Sequence, residues 1–91
     1  MIDEARALKS AAQTGSVVVG IKEVWAAIRS KKARLVVIAN NCPDPKLAQE
    51  RSVKVHRFGG TNADLGAACG KAFSVSALAV LDAGESNILS L

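Results

Sequence analysis

The stretch Val17-Val18-Val19-Gly20-Ile21-Lys22-Glu23-Val24-Trp25-Ala26-Ala27-Ile28 changes its hydrophobic period halfway along, and that change decides the fold class. Val17 to Val19 are consecutive β-branched residues and read as a short strand buried on both faces, since an unbroken apolar run leaves no side for water. Gly20 ends it. From there Ile21, Val24, Trp25 and Ile28 recur at i, i+3, i+4 and i+7, the spacing that stacks side chains on one face of a helix. The helix is expected from Gly20 to about Ser30, with Arg29, Lys31 and Lys32 at its far end. Strand passing to helix through one glycine is the unit of an α/β layer fold.

The alternation continues in both directions. Upstream, Ile2, Ala5, Leu8 and Ala12 share one helical stripe, Arg6, Lys9 and Gln13 share another, and Gly15 stands at the C-cap. Downstream, Leu35 to Ala39 is a continuous apolar run between Arg34 and Asn40 and is expected as a central strand. Asp44 and Pro45 suit the N-cap and first residue of a short helix through about Ser52. Its apolar content is little more than Leu47 and Ala48, so the sheet face beneath it should be thinly covered and the free protein only marginally stable. Val53 to Phe58 alternates imperfectly, as an edge strand does. Gly59-Gly60 is a turn, Thr61 and Asp64 have capping-box spacing, and a compact helix from Ala63 to Cys69 closes at Gly70. Val75 to Leu81 is the last clear strand, followed by a turn at 82–86.

With 91 residues, 49% of them hydrophobic, the chain is expected to form one domain over 1–91 around a single core. Twelve Lys and Arg against eight Asp and Glu give a net charge of +4, a modest bias toward polyanionic partners. No apolar run approaches the roughly 20 residues that span a bilayer, and the charged N-terminus lacks a signal-peptide core, so a soluble, intracellular protein is expected. Cys42 and Cys69 read as reduced thiols packed like small hydrophobes.

Enzyme chemistry finds little support. His56 is the sole histidine and falls on the expected edge strand; Asp64 and Glu85 are single carboxylates where capping explains them. There is no CxxC, no GxxxxGK[ST] and no GxGxxG, so no catalytic residue, metal site, cofactor or small-molecule substrate is expected.

Three segments at element ends carry the functional reading. Gly20 opens a helix whose free N–H groups could seat a phosphate, with Lys22 adding charge; the plainer reading is a tight turn beside a solvated lysine. Asn40 and Asn41 follow a buried strand and present donors and acceptors suited to base edges, although either could instead cap a helix or close a turn. Lys71 offers a phosphate contact, and Phe73 offers either an aromatic face for an unstacked base or an ordinary core residue.

Four strings then carry a resemblance: Val18-Val19-Gly20-Ile21-Lys22, Leu35-Val36-Val37-Ile38-Ala39-Asn40-Asn41-Cys42-Pro43, Asp64-Leu65-Gly66-Ala67-Ala68-Cys69-Gly70-Lys71, and Val80-Leu81-Asp82-Ala83-Gly84-Glu85-Ser86-Asn87-Ile88-Leu89. In order and spacing they resemble the large-subunit ribosomal protein thirty family, within the kink-turn RNA-binding superfamily, and the uncharged C-terminus is similar to its archaeal type. The resemblance implies a three-layer α/β/α sandwich with a mixed four-stranded sheet. It implies a structural constituent of the large ribosomal subunit, on the cytoplasmic ribosome, with large-subunit ribosomal RNA and neighbouring ribosomal proteins as partners and no membrane. The alternatives are a kink-turn protein of a guide-RNA particle and a small α/β ligand-binding or enzymatic domain. The RNA-binding residues it implies are Gly20, Lys22, Asn40, Asn41, Lys71, Phe73 and Val75. Two departures from the family pattern are Ser74, where a larger polar residue is usual, and a helix after Pro43 about two turns shorter.

Overall fold

A computed structural model describes residues 4–42, 45–50, 52–82, 84 and 88. Ile2, the expected cap at Asp44, Glu85 and most of the turn at 82–86 lie outside them. The elements run α1 (Glu4–Thr14), β1 (Ser16–Val19), α2 (Ile21–Arg29), β2 (Leu35–Ile38), α3 (Pro45–Ala48), β3 (Lys54–Arg57), α4 (Asn62–Ala68) and β4 (Ala77–Asp82). The sheet order is β1-β4-β2-β3, with β4 antiparallel to both its neighbours and β2 parallel to β3. This is the mixed four-stranded sheet of an α/β/α sandwich.

The strand period of two sorts the core into two layers. Leu35 and Val37 of β2, with Leu78 and Val80 of β4, pack on Ala7, Leu8 and Ala11 of α1 and on Leu65 and Cys69 at α4. Val36 and Ile38, with Ala77 and Ala79, face the other way onto Val24 and Ala27 of α2 and Leu47 of α3. β2 is buried at every position, as its unbroken apolar run demands.

Three expectations are corrected. β1 is not buried on both faces: it is a sheet edge, and Val17, Val18 and Val19 are only half-buried, because β4 returns between β1 and β2. The buried stripe of α1 is Ala7, Leu8 and Ala11, whereas Ala5 is exposed and Ala12 half-buried. In a helix so rich in alanine, polarity contrast sets its rotation only weakly, and docking between sheet and α4 decides. Finally, α3 is a single turn, yet the face it helps to cover is sealed: Val36, Ile38, Ala77 and Ala79 are at most 2% exposed. Trp25, Ile28, Cys42 and Val53 complete that layer, so the cover comes from α2 and loops as much as from α3.

α2 ends in a Schellman motif, with Lys32 N–H donating to Ala27 C=O and Lys31 N–H to Ile28 C=O, both at 3.0 Å. The left-handed residue that such a cap requires is Lys31, at φ 60°. Glycine is usual there, and a side chain costs about 1 kcal/mol.

Candidate nucleic-acid interface

Because β1, β2 and β3 all run antiparallel to β4, their C-terminal ends and the start of β4 emerge at one end of the sheet. The connecting segments are laced together there. Gly20 N–H donates to Ala77 C=O, Ala39 N–H to Ser76 C=O, Asn40 N–H to Gly60 C=O, each at 2.9 Å, and Val75 N–H to Asn62 C=O at 3.0 Å. The three segments singled out in the sequence therefore form one continuous ledge.

Gly20 caps α2 at φ 103°, ψ 145° without any side-chain cap. A Cβ there would meet nothing within 4 Å, so backbone conformation and not crowding requires glycine. Lys22 is exposed one residue into the helix. Val19 to Glu23 line one wall of a cleft of about 440 Å³, and Phe73 to Ser76 line the other. On the far side of Phe73 lies a second hollow of about 250 Å³, lined by Ala63, Ala67, Lys71 and Ala72 with Phe73 and Ser74. Phe73 stands between the two and is 58% exposed, which rules out the core reading. Val75 forms the floor: it lines the larger cleft but is 2% exposed and packs into the core.

The two asparagines divide. Asn40 is exposed with its backbone anchored to Gly60. Asn41 makes a reciprocal pair with the first residue of α4: its Oδ1 accepts from Asn62 N–H at 2.9 Å and its Nδ2 donates to Asn62 Oδ1 at 3.2 Å. The helix-capping alternative thus describes Asn41. Alongside, Thr61 Oγ1 accepts from Asp64 N–H at 3.4 Å and Asp64 Oδ2 accepts from Thr61 N–H at 3.0 Å, completing the expected capping box.

Two residues that the sequence reading passed over position the ledge. Asn62 joins the Asn41 loop to the segment before β4 through the bonds given above. Gly66 is buried in mid-α4, where a Cβ would collide with the carbonyl oxygen of Phe73 and approach Ser74 Cα at 3.4 Å. Its absence lets residues 73–74 lie against the helix. The available signal was a glycine inside a helix, which destabilises it and so asks for a packing reason. Gly70, at φ 76°, then turns the chain so that Lys71 projects from the ledge, exposed, with its N–H on Gly66 C=O at 2.9 Å.

Both cysteines are free thiols, Cys42 half-buried and Cys69 buried. Burial pushes the Cys69 thiol up to about 11 from its ordinary 9.0, against a smaller opposing pull from the charge of Lys71. A raised folded pKa makes the neutral thiol a source of stability that is complete below about pH 9 and lost as pH climbs toward 11. Melting temperatures of the wild type and Cys69→Ala should therefore draw together over that interval, and at neutral pH a thiol reagent should label Cys42 before Cys69. Equal labelling rates would contradict the burial. Among the described residues no three His, Cys, Asp or Glu stand together as metal ligands, and no helix is long and apolar enough to cross a membrane.

The profile of the ribosomal protein L7Ae/L30e/S12e/Gadd45 family matches residues 4–90. The large ribosomal subunit protein eL30 of Methanosphaerula palustris is 42% identical over 93 residues, covering 99% of this chain and 97% of that protein. Its counterpart in Methanosarcina mazei is 42% identical over 91 residues, covering 98% and 88%. That of Oryza sativa is 42% identical over 83 residues, covering 85% and 75%, so these two archaeal relatives are matched more fully than the plant one.

Proposed function

The chain belongs to the ribosomal protein L7Ae/L30e/S12e/Gadd45 family, and on that premise we propose that it is a structural constituent of the large ribosomal subunit that binds ribosomal RNA through the ledge. It makes and breaks no covalent bond. Its RNA element is kink-turn-like, a bent helix–internal loop–helix with an extruded nucleotide, and neighbouring ribosomal proteins complete its surroundings. The relatives' shared name as large ribosomal subunit protein supports the setting.

The observation that carries the binding mode is the convergence of Gly20–Lys22 and Phe73–Ser76 on one cleft, with an exposed aromatic between two hollows. An extruded base fits beside Phe73, where stacking replaces its lost neighbours. Lys22 and Lys71 meet phosphates as point charges, and the glycine at the start of α2 lets the RNA backbone come close. Asn40, exposed at the end of β2, reads a base edge with its amide. Asn41 serves the same surface by holding Asn62, and Val75 supports it from below.

Variants separate these roles. Lys22→Ala should weaken binding to every RNA and lower the salt slope by about one, whereas Asn40→Ala should cost roughly 1–3 kcal/mol on kink-turn RNA alone. Asn41→Ala should lower the melting temperature together with the affinity, because it releases the start of α4. An Asn40→Ala protein that loses equally on kink-turn and plain duplex RNA would remove its base-reading role. The assembly itself is tested by sedimentation: the protein should stay with large subunits in high salt, and its appearance instead with a small guide-RNA particle would overturn the ribosomal reading.

A further inference from the structure

The end of the molecule opposite the ledge carries a second basic surface. Arg29, Lys31, Lys32 and Arg34 crowd the exit of α2, and all four side chains are exposed. Ile28, Arg29, Lys31 and Ala33 share a cleft of about 290 Å³ with Ser52 and Val53, so the loop after α2 and the approach to β3 form one face. Glu50, shortly before β3, and Asp82, at the end of β4, accept backbone N–H groups from Ser52 and Gly84 at 3.0 and 2.9 Å.

Lys31 occupies the left-handed cap at φ 60°, where glycine is usual, and adds an exposed positive charge to the turn after α2. Among its described residues the face also lacks what protein interfaces concentrate, an exposed apolar anchor. Among the described residues the exposed large hydrophobic is Phe73, on the ledge.

We infer that this face binds the phosphate backbone of a second RNA segment, so that the protein joins two RNA elements, one read at the ledge and one held by charge. Clustered Lys and Arg without base-reading amides fix position on RNA and carry no sequence preference. The two surfaces lie at opposite ends of the strands, so one extruded base cannot meet both. The choice of RNA among polyanions rests on the ribosomal reading above.

The test uses the full chain and three probes: a kink-turn RNA, a fully paired RNA duplex of arbitrary sequence, and polyglutamate. The triple variant Arg29→Gln, Lys31→Gly, Lys32→Gln should melt no lower than the wild type, since glycine suits the cap. It should bind the kink-turn RNA within about threefold of the wild type but the duplex about tenfold or more weakly, with the salt slope reduced by about two to three. Arg34→Gln, outside the cap, repeats the measurement should the triple variant fold poorly, and is expected to lower the slope by about one. Duplex affinity and slope unchanged in both variants would overturn the inference. So would loss of polyglutamate binding with duplex binding intact, which assigns the face to an acidic protein. If the wild type ignores kink-turn RNA while its duplex binding still depends on these cations, the ledge reading fails and this one stands.

Discussion

Phe73→Ala is expected to weaken binding to kink-turn RNA by about 1–3 kcal/mol, roughly fivefold to a hundredfold or more, while leaving the melting temperature close to that of the wild type. The side chain is 58% exposed, so truncation removes little buried area from the fold and nearly all of the surface on which a base could stack. Leucine in its place would restore apolar area without a π-face and should recover only part of the affinity. Titration at fixed salt beside a thermal melt reads both quantities. Normal affinity in a protein that melts several degrees lower would mean that Phe73 serves the fold.

Gly66→Ala carries the largest combined effect. In an exposed helix interior this change stabilises by nearly 1 kcal/mol, because alanine loses less chain entropy and is the better helix former. Here the sign should reverse. The new Cβ meets the backbone carbonyl of Phe73, which cannot swing aside like the tip of a flexible side chain, so the segment before β4 must move. Overpacking of this kind costs about 1–3 kcal/mol, and at about 4–8 °C per kcal/mol in a domain of this size the melting temperature should fall by roughly 5–20 °C. Kink-turn affinity should fall with it, since Phe73 rides on the displaced segment. A Gly66→Ala protein that melts higher and binds normally would show that the close approach is not required.

Much of this architecture is visible in the residues themselves. α2 was expected from Gly20 to about Ser30 and spans Ile21–Arg29, because a strong apolar stripe and a glycine entry act within a few residues of each other. The Thr61–Asp64 capping box and the fully buried β2 are local in the same sense. Four separated motifs also identified the family that the comparisons show. The element ends at Gly20, Asn40 and Lys71–Phe73 were legible as candidate binding segments, since each follows a recognisable change of period.

What pairs with what was not legible. Val17-Val18-Val19 is apolar enough for the middle of a sheet, yet it lies at an edge, because strand order depends on where β4 inserts some sixty residues later. Ala5 and Ala7 are the same residue type, and only docking against α4 and the sheet exposes one and buries the other. Asn40 and Asn41 look alike in sequence and are both exposed, and only the position of Asn62 turns Asn41 into a cap. Local propensity, period and capping act through bonds and neighbours within a few residues, so the residues alone specify the elements, their termini to within a few positions, and the family. Strand order, helix rotation, the joining of three loops into one ledge and the need for Gly66 arise from contacts between residues far apart in the chain, and the tertiary structure alone decided them.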